Sequence, residues 1–308
     1  MLRFLFSDHG GEALELKNPL SMTLSMDEDI PADSVSVCFC GGMNIDGYGF
    51  LEISDGEEII FSGIVDEVSR VISYDKDYTR VNARSMAAVL LDNESKPVFY
   101  NNLSTDVVFL NHLKPYGIKE YKGRNEYLPG SFNVSKGSTN WQVLQSFCVN
   151  RFGCRPRIRP DGTADFEGLK NDRDVVFSNK NGIKYISVKE NKRLYKRLSS
   201  VFVKCDDGEY SSCIANPEAG DSETKRERYL DATNPFVTTE QAEKMIRNSN
   251  RDCYVVTITC PVRLTGILGA KASADDLDFS FDNMYVSSLR YSLSYSGEST
   301  VVTLRRKI

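Results

Sequence analysis

Histidine is almost missing from this chain of 308 residues, which has two, and tryptophan occurs once. His9 falls in the turn-forming run Ser7-Asp-His-Gly-Gly11, and His112 falls on a segment that reads as helix. A serine or cysteine hydrolase would need one of these two as its base. No Gly-x-Ser-x-Gly elbow is present to offer it a serine. The phosphate-cradling Gly-x-x-x-x-Gly-Lys pattern is missing as well, and Gly47-Tyr-Gly49 is a turn, not a dinucleotide fingerprint. Ser222-Glu-Thr-Lys225 matches Ser-x-x-Lys but stands in a polar stretch without companion motifs.

Long apolar runs are lacking. None approaches the ~18 residues of a membrane-spanning helix. The opening Met1-Leu-Arg-Phe-Leu-Phe-Ser-Asp8 turns charged before it could form a signal peptide, so synthesis and folding in the cytosol are expected. Paired metal ligands are lacking too. The eight cysteines are Cys38, Cys40, Cys148, Cys154, Cys205, Cys213, Cys253 and Cys260, and none has zinc-knuckle spacing. They read as free thiols acting as small core residues. Asp275-Asp276-x-Asp278 lacks the glycine and distal glutamate of a calcium loop. No catalytic residue, metal or cofactor is therefore expected. Glycosidase carboxylates, whose pairing is spatial, are the one class that motif absence leaves open.

A surplus of positive charge is also missing. The net charge is -5, which argues against nucleic-acid binding by bulk electrostatics. The short basic groups Lys192-Arg193, Lys196-Arg197, Lys225-Arg226 and Arg305-Arg306-Lys307 read as solvated or ion-paired surface.

What the chain does have is strand pattern. Over residues 1–84, segments such as Ser34-Val-Ser-Val-Cys-Phe39 and Glu58-Ile-Ile-Phe61 are separated by Gly and Asp turns every ~8–12 residues, the texture of a sandwich or barrel. Residues 85–190 read differently. Ser85 is expected to cap a short helix over 86–91, and Ser104 a second one that Pro115 ends. Thr139-Asn-Trp-Gln142 is a capping box for a helix that puts Trp141, Leu144 and Cys148 on one face and closes at Gly153. Asp161-Gly162 turns a hairpin. This span reads as a small α+β unit.

Strand character returns over residues 191–308, with a polar surface loop at 206–237 and a helix at 238–250 started by the box Thr238-Thr-Glu-Gln241. Leu289, Tyr291, Leu293 and Tyr295 share one face of a strict two-residue alternation. One internal comparison stands out. Ile72-Ser-Tyr-Asp-Lys-Asp-Tyr-Thr-Arg-Val-Asn-Ala-Arg84 aligns without gaps to Leu293-Ser-Tyr-Ser-Gly-Glu-Ser-Thr-Val-Val-Thr-Leu-Arg305. Two strand regions ending in one kind of hairpin is what two related barrels would leave. The expected fold is mainly β with an α+β insertion, two related β-barrels flanking the small α+β unit.

Three ordered blocks carry a resemblance. Residues 81–118 run from a strand into a short apolar helix, an Asp-Asn turn, an extended Pro-x-x-Tyr and a helix near Pro115-Tyr-Gly-Ile118. Residues 132–168 add a Gly-x-Ser/Thr-x-Trp helix and the Asp-Gly hairpin, and 285–307 a closing hairpin. The set resembles the baseplate hub proteins of contractile phage tails and tailocins, the late-control protein D-like family, similar to the base of type VI secretion spike proteins. The resemblance implies a non-enzymatic homotrimer whose six barrels make a ring with a central channel. That ring would adapt the sixfold tail tube, or a tube initiator, to the threefold central spike, with baseplate wedge proteins as further partners. It would be assembled in the bacterial cytoplasm and reside in the virion or tailocin particle.

Within that frame Met86, Leu90, Leu91, Asp92, Asn93, Pro97 and Tyr100 are expected to form a structural joint between the first barrel and the α+β unit, with Leu90 and Leu91 largely buried. The competing readings are a tail-associated cell-wall hydrolase or carbohydrate-binding protein, and the distal ring protein of a non-contractile tail.

Overall fold

Every second residue is buried along β1 (Leu2–Ser7). The neighbouring β2 (Ala13–Leu16) buries none fully, and β3 (Ser21–Asp27) restores the alternation. This two-residue period is how a strand puts one face on a core. β5 (Phe50–Asp55) and β7 (Asp77–Ser85) continue the pattern, β4 (Ser34–Cys40) follows it with Cys38 buried as well, and the long β6 (Glu58–Ile72) buries residues only in its first half. The chain is mainly β, as its alternating segments predict. The computed structural model describes residues 2–205, 207–220, 224–231, 235–274, 281 and 283–307.

After β7 come α1 (Ala87–Asp92), β8 (Val98–Ser104) and α2 (Thr105–Val108), the last continued by a π-helical turn over Phe109–Leu113 and a 3-10 turn over Lys114–Tyr116. β9 (Tyr121–Lys122), β10 (Tyr127–Val134), α3 (Asn140–Phe152), β11 (Arg157–Ile158) and β12 (Ala164–Asp165) complete the insert. The rest comprises β13 (Asp174–Phe177), β14 (Ser187–Lys192), β15 (Ser200–Val203), β16 (Ser212–Ala215), β17 (Glu227–Leu230), α4 (Pro235–Cys253), β18 (Tyr254–Cys260), β19 (Lys271–Ala274), β20 (Met284–Ser294) and β21 (Gly297–Arg306).

By its internal contacts the chain divides into two compact units. The first holds Met1–Asp172, Pro261–Gly269 and Ser288–Thr300; the second holds Arg173–Cys260, Ala270–Ser287 and Val301–Ile308. In the first, the strands run in the order β20-β3-β4-β7-β6-β5-β1-β2, every pair antiparallel. Phe4, Phe6, Met22, Leu24, Val37, Phe39, Leu51 and Phe61 are fully buried on this sheet. The insert has its own core, in which Leu90 of α1, Leu113, and Trp141, Leu144, Phe147 and Cys148 of α3 meet Ile158 and Phe166.

In the second unit the order is β14-β18-β21-β20, with β19 on β20 and β13 parallel to β19. A separate three-stranded sheet, β16-β15-β17, covers α4 through Val201, Val203, Ala242 and Ile246.

Several expectations are corrected. The span 206–237 is not only loop: β16 and β17 lie in it, pairing antiparallel and parallel to β15. Their sequences, Ser-Cys-Ile-Ala and Glu-Arg-Tyr-Leu, carry too short an apolar pattern to stand out, and the pairing rather than the sequence makes them strands. α4 starts at Pro235, so Thr238 lies inside the helix; proline suits a first helical turn because its missing N–H has no partner there anyway. Ser85 does not cap α1, whose N-cap is Met86 with no side-chain bond. Pro115 does not end its helix either; it lies within the 3-10 turn that Lys114 begins, and Gly117, left-handed at φ 87°, stops it. Ser222 and the Asp275–Asp278 cluster lie outside the described residues.

The basic groups are in part ion-paired within the second unit. Lys192 meets Glu190, Lys225 meets Glu227, Arg305 meets Asp252 and Arg306 meets Glu218.

Candidate functional site

The joint begins where β7 ends. Gly63 of β6 lies opposite Ser85, and a side chain there would collide with the Arg84 carbonyl, so glycine alone permits the approach. The Met86 amide donates to the Ser62 carbonyl at 3.3 Å, and α1 starts at once. Leu90 is fully buried in the insert core, Met86 is buried at its rim, and Leu91 is half-buried. Asp92 closes α1 and is exposed, but its carboxylate meets the Arg84 guanidinium at 2.7 Å. Arg84 also holds Asp66 of β6 at 2.7 Å, so one cation ties helix end, strand and neighbouring strand together.

Asn93 continues the tie. Its side chain donates to the Val89 carbonyl at 2.7 Å, and its own carbonyl accepts from both the backbone and side-chain nitrogens of Asn140 at 3.1 Å. α3, capped by the reciprocal Thr139–Gln142 box, is thereby fastened to the end of α1. Pro97 is exposed and precedes β8, where Tyr100 pairs across to Phe132. Trp141, Leu144 and Cys148 all face the insert core, and the Trp141 indole donates to Gln145 at 3.2 Å. Burial pushes the Cys148 thiol far above its ordinary value, which leaves it an inert packing group. The structure thus brings the joint residues and the core-helix residues around one core, with Pro97 and Asp92 at its edge.

His112 was not counted among the joint residues in the sequence, yet it sits at the centre. Its imidazole is buried, with Nδ1 3.0 Å from Asn140 Oδ1 and 3.1 Å from Ser95 Oγ, and Nε2 3.0 Å from the Tyr100 hydroxyl. The Asn140 amide nitrogen is engaged by the Asn93 carbonyl, so Oδ1 is the atom offered to His112. Nδ1 therefore carries the proton, and Nε2 accepts from Tyr100. Ser95 is itself buried and faces a protonated nitrogen, which rules His112 out as its base. Burial lowers the pKa of His112 from 6.5, partly opposed by the Asn140 hydrogen bond. The knot is a structural one: a neutral, saturated histidine joining β8, the π-helical turn and α3.

A second buried tie holds the loop between β3 and β4. Arg157 of β11 donates to the carbonyls of Asp27 and Ile30 at 2.7 and 3.2 Å, and to the Asp33 carboxylate. Asp33 and Ser85 exchange two further bonds: the Asp33 amide donates to Ser85 Oγ at 3.0 Å, and the Ser85 amide to the Asp33 carbonyl at 2.8 Å. This is where the hydroxyl expected to cap α1 is used. Burial pushes the Asp33 carboxyl up to about 6, with the Arg157 charge pulling the other way. No signal short of the fold could have linked Asp33 to Arg157, 124 residues apart.

The fold is similar to that of solved tail proteins. The tail protein of Neisseria meningitidis superposes with a TM-score of 0.78 at 18% identity, over 99% of this chain and 96% of that one. The 43 kDa tail protein of a Shewanella oneidensis prophage does so with a TM-score of 0.78 at 15% identity, over 99% and 98%. A component of the E. coli type VI secretion system, itself structurally similar to phage tail proteins, follows at 0.56 and 7% identity, over 94% and 74%. No family model matches the sequence, and no curated protein does.

Proposed function

We propose that the protein is a non-enzymatic structural subunit of the tail baseplate of a contractile phage or tailocin, acting as its hub. The observation that carries this is the end-to-end correspondence with two solved tail proteins, which takes in 99% of this chain. The three sequence blocks that resemble hub proteins support it: they fall on the β7–α1 joint, on α3 with the β11–β12 hairpin, and on the β20–β21 hairpin.

In this reading residues 1–84 and 191–308 form two related barrels and 85–190 the outward α+β unit. Three chains form a ring with a central channel between the tail tube and the central spike, and wedge proteins meet the α+β unit. Cyclic closure would satisfy strand edges and leave binding energy to broad interfaces rather than a pocket. The particle would carry it in the baseplate after assembly in the bacterial cytoplasm.

The test is negative-stain imaging and mass measurement of the protein mixed with the tube and spike proteins of its own particle. A threefold ring with a pore is expected. A stable monomer that binds neither protein and degrades peptidoglycan overturns the proposal.

A further inference from the structure

On the first sheet, β5 lies between β1 and β6. Ser7, Phe50 and Ile64 form one row across the three strands, and Leu5, Glu52 and Ser62 the next. Phe50 and Glu52 alternate with the buried Leu51 and Ile53, so they leave the sheet on its other face, where Phe50 and Ile64 pack against the insert core. The Asp161–Thr163 turn and the chain from Gly117 to Glu120 close over this face without filling it. A cleft of about 720 Å³ remains, all of it within the first unit. Gly117 and Gly162, left-handed at φ 87° and 83°, line it and contribute no side chain to fill it. The His9 ring stands edge-on to Phe50 with centroids 4.9 Å apart, and Met86 lines the cleft beside them.

The charge of this lining is one-sided: Asp8, Glu52, Glu120 and Asp161 face only Lys119. Elsewhere in the unit Asp33, Asp66, Asp92, Asp165 and Glu167 each meet an arginine of the chain itself. Among the described residues, none of the four cleft carboxylates holds a basic side chain. Two are set in place by backbone: Asp8 accepts from the Glu12 amide at 2.8 Å and Asp161 from the Thr163 amide at 2.9 Å. Each keeps lone pairs for a further donor. Opposite Glu52, the buried Ser62 hydroxyl has no hydrogen-bond partner, an uncommon state that marks unfinished bonding.

A metal ion does not fit this set, because among the described residues no three carboxylate, histidine or cysteine groups converge on one point. Carboxylates spread round an aromatic wall suit a flat cation with donors on several sides. Guanidinium has five N–H donors in a plane and stacks on aromatic rings, where an ammonium is a compact point charge. Glu52 lies two residues from Phe50 on one face, about 6.6 Å at ~3.3 Å per residue, so a stem laid on the ring brings its head to the carboxylate. We propose that this cleft binds an extended, arginine-bearing segment of a partner protein, with Glu52 and Asp161 holding the guanidinium and Phe50 and Met86 taking its stem. The volume is far more than one arginine side chain fills, so residues flanking it enter as well. The inference does not draw on the hub reading.

The test is calorimetric titration of the full chain, at low salt, with a capped eight-residue glycine–alanine peptide carrying two arginines. The same peptide with lysine or with glutamate in their place, and spermidine, are the comparison probes. The arginine peptide should bind several-fold tighter than the lysine one, and the glutamate peptide should not bind. Glu52→Gln and Asp161→Asn should each weaken binding about tenfold, and the double variant about a hundredfold. The thermal midpoint should not move, since neither carboxylate holds another side chain and asparagine keeps the Thr163 bond. Asp75→Asn, on the β6–β7 turn outside the cleft, should bind as wild type does. An equal loss in Asp75→Asn would mean diffuse negative charge and overturn the proposal, as would no binding of the arginine peptide. Equal binding of the lysine peptide overturns the assignment to arginine. Tighter binding of spermidine, lost in the same two variants, makes the cleft a polyamine site instead.

Discussion

The two ends of the β6–β7 hairpin differ sharply. At one, Gly63 lies opposite Ser85, Ser85 and Met86 are tied by backbone bonds to Asp33 and Ser62, and Leu90 follows into a closed core. At the other, Ile72 and Tyr74 stand in solvent on a turn closed by bonds between Ser73 and Lys76, with the Asp77 carbonyl accepting from Gly41. The same two strands thus serve folding at one end and leave apolar groups exposed at the other. One end buries its apolar groups within the chain and so carries stability, and the other does not.

The strongest way to break that contrast is Leu90→Asp. An unpaired carboxylate in a fully closed apolar site should cost about 4 kcal/mol or more and prevent folding of the insert, read as a lost cooperative transition in thermal denaturation. Leu91, half-buried, should tolerate the same change better; equal losses at both positions would refute the burial argument. Next comes Arg157→Ala, which strands Asp33 and two carbonyls in the interior. A loss of about 3–5 kcal/mol is expected in urea denaturation, since removing one partner of a buried pair is more costly than removing both.

The smallest effect is a pH dependence with two opposing parts. His112 titrates below its ordinary 6.5 when folded, so the unfolded chain takes up the proton first and stability falls as pH drops below 6.5. Asp33, raised to about 6 from 3.8, holds a proton that the unfolded chain has lost, so its contribution rises as pH falls through 6. Each is limited to about 1.4 kcal/mol per pH unit. Between pH 7 and 5, His112→Gln should show a smaller loss of stability with acid than wild type, measured relative to its own value at pH 7. An identical profile would show that His112 is not held neutral.

Much of the fold was legible, and the reason is local. β20 buries Leu289 and Tyr291 as its alternation predicts, though Tyr295 lies past its end and is exposed; Thr139 and Gln142 sit at capping-box spacing, and Asp161-Gly162 turns a hairpin, each a signal contained within a dozen residues. What escaped was long-range. The His112 knot draws Ser95 from a loop, Tyr100 from β8 and Asn140 from α3, and Ser85 left its helix for Asp33, 52 residues away. β16 and β17 are strands because β15 lies between them, which their own residues do not announce. The joint residues were legible as a break in texture, but the atoms that secure the break were not.

One small feature has a wide evolutionary consequence. Between Val65 and Glu67 the pairing of β6 with β7 shifts by one residue, leaving Asp66 as an extra residue that Arg84 grips. A hairpin's register is ordinarily set by its turn, and a slip of one residue would turn every inward side chain outward. The bulge fixes the alignment of the inner strands from within. The turn is then insulated from the pairs on the far side of the bulge, so it can change length and composition while Ala83 and Ser85 keep their places. A lineage could rewrite that turn without relearning how to fold.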